Sequence, residues 1–316
     1  MMLKKLLVAV VVAGLGWSAF WFWQANALRS EIADRFAEAR ADGWQADYDD
    51  LSVGGFPNRL DTTLTGVELR SPDGNTGWSA PFFQVLQLSY KPGHLIAVWP
   101  DDHTLIRNGQ TYYIAGQNQR GSLVFDAEDR VIRANAEASV LTVTPAEERP
   151  MEITGLNAAL EQVPADPMAY RLGIQAGTLG APGQEAPARD MELDLTAHLT
   201  GPILTRPGDP PQPRRIELRT LKQTLPPMTL RIDGDLDVDK GGRMDGALRL
   251  QASDWRAYLD KTGAGTGPAQ DLVRGVVEVV TLMSGGDELD VTLRLDDGQM
   301  SVGLLPLGPA PRLRLP

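Results

Sequence analysis

Hydrophobic and polar positions follow three successive patterns along this chain. The first is an unbroken apolar run: Lys4 and Lys5 lead into an uncharged stretch, residues 6–22, that closes on the aromatic group Trp17, Phe20, Trp21, Phe22 and Trp23. Such a run, with aromatic rings gathered at one end, has the make-up of a membrane segment and its interfacial belt. Two fates fit it. One is a signal-anchor that stays; the other is a signal peptide cut after Ala27, where Ala25-Asn26-Ala27 offers the small residues of a cleavage site. The run is longer than the roughly 7 to 15 residues of a cleaved apolar region, which favours retention. Lysines on a short N-terminal tail place that tail in the cytoplasm, although Arg29, Arg35 and Arg40 follow the segment.

The second pattern has the period of a helix. Leu28, Ile32 and Phe36 recur every four residues, Glu31 and Arg35 stand as an i,i+4 pair, and Gly43 marks a stop. An amphipathic helix over residues 26–43 is expected, continuing the membrane segment and docking its apolar stripe on the first strands. Lying on a lipid surface is the alternative.

From Trp44 the period becomes two. Trp44, Ala46 and Tyr48, then Leu60, Thr62 and Leu64, then Leu86, Leu88 and Tyr90 alternate with polar residues, and Gly, Pro, Asn and Asp punctuate the runs. Further alternation covers 123–125, 140–143 and 191–199. The Pro/Gly-rich stretches 180–187 and 201–213 read as long loops or as a boundary. Two hairpins follow. In the first, Leu230, Ile232, Leu236 and Val238 alternate with Asp233, Asp235, Asp237 and Asp239, and Lys240-Gly241-Gly242 turns the chain toward Leu248 and Leu250. A turn centred on Gly241 sets Asp233 opposite Arg249. The second has Leu289, Val291, Leu293 and Leu295 on one face, an Asp297-Gly298 turn, and Met300 and Val302 returning. Between them Leu272, Val276, Val279, Val280 and Met283 form a helical stripe suited to cover part of the sheet.

The predicted fold is mainly β with a few helices, an α+β chain in which an extended curved antiparallel sheet follows an N-terminal transmembrane helix. Its expected parts are a membrane anchor or signal segment at 1–25, the amphipathic helix at 26–43, an N-terminal β-rich half at 44–205, and a C-terminal β-rich half with one helical cover at 206–316. That stripe is too short to cover every strand, so apolar surface is expected to stay open around Leu236 and Leu293.

Composition narrows the possible functions. With 42% hydrophobic residues the chain has the material for a core. A net charge of -11 without clustered Lys and Arg argues against nucleic acid as a partner. The absence of cysteine removes disulfides, thiol nucleophiles and iron-sulfur ligation together.

Chemistry-bearing motifs are sparse. His94 and His103 bracket Asp101 and Asp102, but lack metal-ligand spacing, and are expected to cap a turn and to sit in a polar loop. An EF-hand beginning at Asp235 fails, since Lys240 and Gly246 stand where Gly and Glu are required; the Asp row is a wet strand face neutralised in part by Arg243 and Arg249. Gly263-Ala264-Gly265-Thr266-Gly267 lacks the Lys-Ser/Thr ending of a phosphate loop. No serine nucleophile elbow is present. Gly55-Phe56-Pro57-Asn58-Arg59 is more informative: it predicts a tight bend with Phe56 buried, or a recognition edge where Arg59 meets an acidic partner or a phospholipid headgroup. No catalytic residue, metal site or cofactor is expected.

Three stretches carry a family resemblance: GWQADYDDLSVGGFPNRL at 43–60, APFFQVLQLSYKP with HLIAVWP at 80–100, and LPLGPAP near the C-terminus. They resemble the alphaproteobacterial family catalogued as domain of unknown function 2125, over nearly the whole chain. The phrases DGDLDV and GALRL are more loosely similar to the AsmA-like envelope proteins, membrane-anchored β grooves linked to lipid transport. The resemblance implies a Gram-negative inner-membrane protein, single-pass, with its C-terminal domain in the periplasm, and it carries no known activity or site. The expected function is non-enzymatic: binding lipid or another elongated apolar ligand on the sheet, with Phe56, Arg59, Leu236 and Leu293 as contacts. The alternative is a structural or assembly partner of other envelope proteins through an exposed strand edge.

Overall fold

The apolar run and the amphipathic stripe are one continuous helix, α1 (Met2–Ala41), in the computed structural model, which describes residues 2–206, 208–262 and 287–315. Its first half is long and apolar enough to cross a membrane. Its second half carries Leu28, Ile32 and Phe36 onto the first strands, as expected. Arg35 pairs at 3.8 Å with Glu38, one turn ahead of it, rather than with the predicted partner Glu31 one turn behind. Gly43 ends the helix in the left-handed conformation at φ +85°, which lets its N–H and that of Trp44 reach back to the carbonyls of Arg40 and Ala39.

The chain forms two compact units, Met1–Val124 with Glu137–Met151, and Phe125–Ala136 with Glu152–Pro316. These bounds differ from the expected division at 205/206. The Pro/Gly-rich stretch there joins two paired strands, so its prolines and glycines serve a loop.

In the first unit, β1 (Gln45–Asp47) and β2 (Asp50–Gly54) share one side of β3 (Arg59–Arg70), whose other side pairs with β4 (Thr76–Leu88). β4 is then shared between β5 (Lys91–Val98) near Leu88 and β6 (Asp102–Arg107) near Thr76. β7 (Gln110–Gln117) pairs with β6 and with residues 140–145 of β9 (Val131–Pro145), a strand whose first six residues belong to the second unit, and β8 (Arg120–Phe125) pairs with β5. Alternation in β3 works as read: Leu60, Thr62 and Leu64 are all buried. The open edge of β1 and β2 is closed by α1, where the Arg29 guanidinium donates to the Leu51 carbonyl at 2.7 and 3.0 Å and Arg40 to the Ala46 carbonyl at 2.9 Å. Cationic side chains on free strand carbonyls remove the template that an unpaired edge would offer another chain.

The second unit is an antiparallel meander: β10 (Met151–Val163), β11 (Asp166–Gly180), β12 (Ala188–Leu199), β13 (Pro213–Leu225), β14 (Met228–Val238) and β15 (Met244–Ser253). It continues past α2 (Trp255–Thr262) into β16 (Glu288–Asp296), β17 (Gln299–Val302) and β18 (Leu305–Pro309). Each strand pairs with the next. Asp233 stands opposite Arg249, as the turn at Gly241 predicts. The Leu272 stripe and the glycine-rich loop at 263–267 lie outside the described residues.

Candidate functional site

Three residues of the sequence-predicted loop 55–59 meet the aromatic end of α1. Gly55 begins the bend at φ +95°, where a side chain would strike Arg59, and the Arg59 N–H closes the turn on the Gly55 carbonyl at 2.9 Å. Phe56 then projects toward the helix. Its ring lies parallel to Phe22 at 5.8 Å and edge-on to Trp21 at 5.4 Å. The Trp17 indole N–H donates to the Pro57 carbonyl at 2.9 Å and the Trp21 indole N–H to the Arg59 carbonyl at 2.7 Å. A second turn joins this seat: Ser89 donates from its N–H and hydroxyl to the Asn58 carbonyl, while Gln24 donates to the Ser89 carbonyl at 3.3 Å.

Burial divides these residues sharply. Trp21 is only 4% exposed, packed with Ala25 on Leu60, whereas Phe56 remains 50% exposed. The expectation of a buried Phe56 is therefore corrected: Trp21 fills the position against the sheet, and Phe56 is left to lean on the outer rings of the helix. Arg59 does not stand free for an acidic partner, because its guanidinium already holds Asp61 at 2.6 Å.

A cleft of about 660 Å³ opens elsewhere in the same unit, lined by Asp47, Asp49, Glu68, Asp102, His103 and Tyr113 among others. Burial lowers the His103 pKa from its ordinary value against the opposing pull of a hydrogen bond to the Pro100 carbonyl, and its Nδ1 is buried without a protein partner. Gly66 forms part of this wall at φ +58°, and the Asp49 carboxylate occupies the space its Cβ would need. The lining mixes carboxylates with aromatic and aliphatic side chains such as Tyr48, Val67, Tyr113 and Ile114.

The sequence profile of one family, described as an uncharacterized protein conserved in bacteria (DUF2125), matches residues 21–311. The chain belongs to this family. The match begins at Trp21, the first residue of α1 that the sheet buries. No curated protein and no solved structure matches this DUF2125 member, so the likeness to AsmA-like proteins rests on its short hairpin phrases alone.

The remaining predicted contacts of the DUF2125 chain fall in its second unit. Leu236 and Leu293 are 8% and 5% exposed and belong to one cluster with Leu295, Met300 and Val302, against which Leu307 and Ala310 pack. They are core residues rather than an open apolar face. A neighbouring cluster is filled by Trp255 of α2 against Met228 and Leu289. The hairpin pattern marks the inward residues of the Leu236 cluster, but not what covers these faces, because the covering residues come from α2 and the C-terminal segment.

The histidines also differ from expectation. His94 caps no turn but lies within β5 opposite Val124, and His103 lies in β6 opposite Ile114 rather than in a loop. His198 sits between Asp166 at 3.3 Å and Glu217 at 3.5 Å. Among the described residues no three His, Asp or Glu side chains gather as a metal site. Sequence reasoning missed the His103 cleft, whose lining is drawn from strands far apart in the chain and has no local signature.

Proposed function

We propose that this DUF2125 member is a single-pass protein retained in the inner membrane of a Gram-negative cell, with its β-rich part in the periplasm, and that it works by binding lipid rather than by catalysis. One observation carries the reading: Trp21 and Ala25, both on the N-terminal side of the cleavage site expected after Ala27, are 4% and 8% exposed in a cluster with Leu60. Cutting after Ala27 would remove both and uncover Leu60 and Val53. This packing supports an anchor that is part of the folded unit, and Lys4 and Lys5 support a cytoplasmic N-terminus.

Lipid as the ligand is supported by the half-exposed Phe56, which continues the lipid-facing rings of α1. An elongated groove at Leu236 and Leu293 has no such support, since the chain's own residues fill it. The assembly-partner reading gains little from β18, because Pro306 and Pro309 remove donors from that strand.

Protein purified from membranes of a Gram-negative host tests the proposal. Intact mass should include residues 1–27, alkaline carbonate should leave the protein in the pellet, and mass spectrometry should find copurifying phospholipid enriched over bulk. A mature N-terminus at Leu28 would sink the retention reading. A stoichiometric envelope protein without enriched lipid would replace lipid binding by the assembly role.

A further inference from the structure

The loop 55–59 lies at an unusual height along α1. A hydrocarbon core of about 30 Å takes about 20 helical residues, so a span that starts at Leu6, after the two lysines, ends near Ala25. Trp17 and Phe22, which hold Pro57 and Phe56, then sit about 5 to 12 Å inside that boundary at 1.5 Å per residue. The first charge beyond the span, Arg29, is about 18 Å further along the helix than Trp17. An irregular loop at that depth faces a strict condition, because backbone groups in hydrocarbon have no water to bond.

This loop meets the condition at four of its carbonyls. The carbonyls of Gly55, Pro57, Asn58 and Arg59 accept from the Arg59 N–H, the Trp17 indole, Ser89 and the Trp21 indole respectively. Pro57 itself has no N–H to satisfy. In the same stroke both indole N–H groups, which would otherwise point into lipid unpaired, find acceptors. Arg59 pairs with Asp61 Oδ2 at 2.6 Å, while Asp61 Oδ1 and Gln24 Oε1 are buried without a protein partner. The neighbouring turn is graded as an interface requires: Ser89 is held at the level of Gln24, and the exposed Tyr90 and Lys91 beside it have apolar stems with polar tips suited to the headgroup layer.

We propose that loop 55–59, backed by turn 89–91, enters the bilayer leaflet next to the β-rich part as a wedge tied to α1 through its carbonyls, with Phe56 in the acyl region and Tyr90 and Lys91 among the phosphates. This inference rests on retention of α1. It deepens that reading by giving the first unit a fixed height on the membrane.

The cysteine-free chain allows single labelling. Full-length Phe56→Cys, Tyr90→Cys and Glu147→Cys variants, each carrying an NBD fluorophore, would be reconstituted in vesicles of phosphatidylethanolamine and phosphatidylglycerol. Glu147 is exposed just beyond Pro145, which pairs with Tyr112 at the far end of the unit's strands. The position 56 probe should emit at shorter wavelength and be quenched several-fold more by lipid nitroxides on the acyl chain than the position 147 probe; the position 90 probe should respond most to headgroup nitroxides. Aqueous iodide reaching position 56 as readily as position 147, in protein that resists carbonate extraction, would overturn the wedge and leave the anchor intact. Extraction by carbonate would overturn both.

Discussion

Two aromatic residues in contact, Trp21 and Phe56, do opposite work. Trp21 closes the sheet, so Trp21→Ala is expected to cost about 3–5 kcal/mol, the range for deleting a large buried ring. Phe56→Ala removes a ring that is half in contact and should cost about 1 kcal/mol in detergent, by the area it covers. Denaturant titration of the full chain in micelles separates the two; equal losses would return Phe56 to the core. Backbone constraints are just as local. Gly246 sits at φ +149°, where an added Cβ would strike the Asp235 carbonyl across the hairpin, whereas a Cβ at Gly54 meets nothing within 4 Å. Gly246→Ala should therefore lower the melting temperature, with about 1–3 kcal/mol from backbone strain alone, and Gly54→Ala should leave it nearly unchanged.

At the scale of elements, register follows from alternation but charge partners do not. Asp233 faces Arg249 across β14 and β15, yet the Arg249 guanidinium turns to Asp290 on β16 at 2.5–2.9 Å. Arg215 of β13, unnoticed in the sequence, reaches Asp235 and Asp237 at 3.5 and 3.7 Å. A long guanidinium spans to whichever neighbouring strand brings a carboxylate, and strand order is not a local property. On β12, Asp194 is held below the usual carboxylate pKa by the hydrogen bond from Arg171, with Arg219 adding to it. Its folded pKa lies below its unfolded one, so the stabilisation is present above about pH 4, the unfolded value, and fades as pH falls through the folded pKa. Melting temperature should decline on acidification below that point, and Arg171→Gln should flatten the decline. An unchanged slope in the variant would show that this pair contributes nothing to acid sensitivity.

For the whole molecule, the proposed anchor ties α1 to the stability of the first unit. A variant lacking residues 1–27 should be released from the membrane but should unfold at lower temperature than one lacking only 1–16, which keeps the Trp17 and Trp21 contacts. Equal melting of the two would mean the helix is a mere tether. Sequence alone determined the long apolar helix, its continuation as an amphipathic stripe, and the inward faces of β3, β14 and β16, because the side-chain periods of helix and strand are local and leave their mark in neighbouring residues. β10 and β11 escaped notice because the Ala, Gly and Thr residues among their positions blur the contrast of large apolar with polar side chains, even though Ala169, Tyr170 and Ala176 of β11 are buried. Tertiary structure alone decided which apolar faces are covered. It buried Leu236 and Leu293 beneath Leu307 and Ala310, left Phe56 out beside Phe22, and assembled the His103 cleft from separate strands. Coverage depends on which distant segment comes to rest on a face, and alternation along a strand carries no information about that partner.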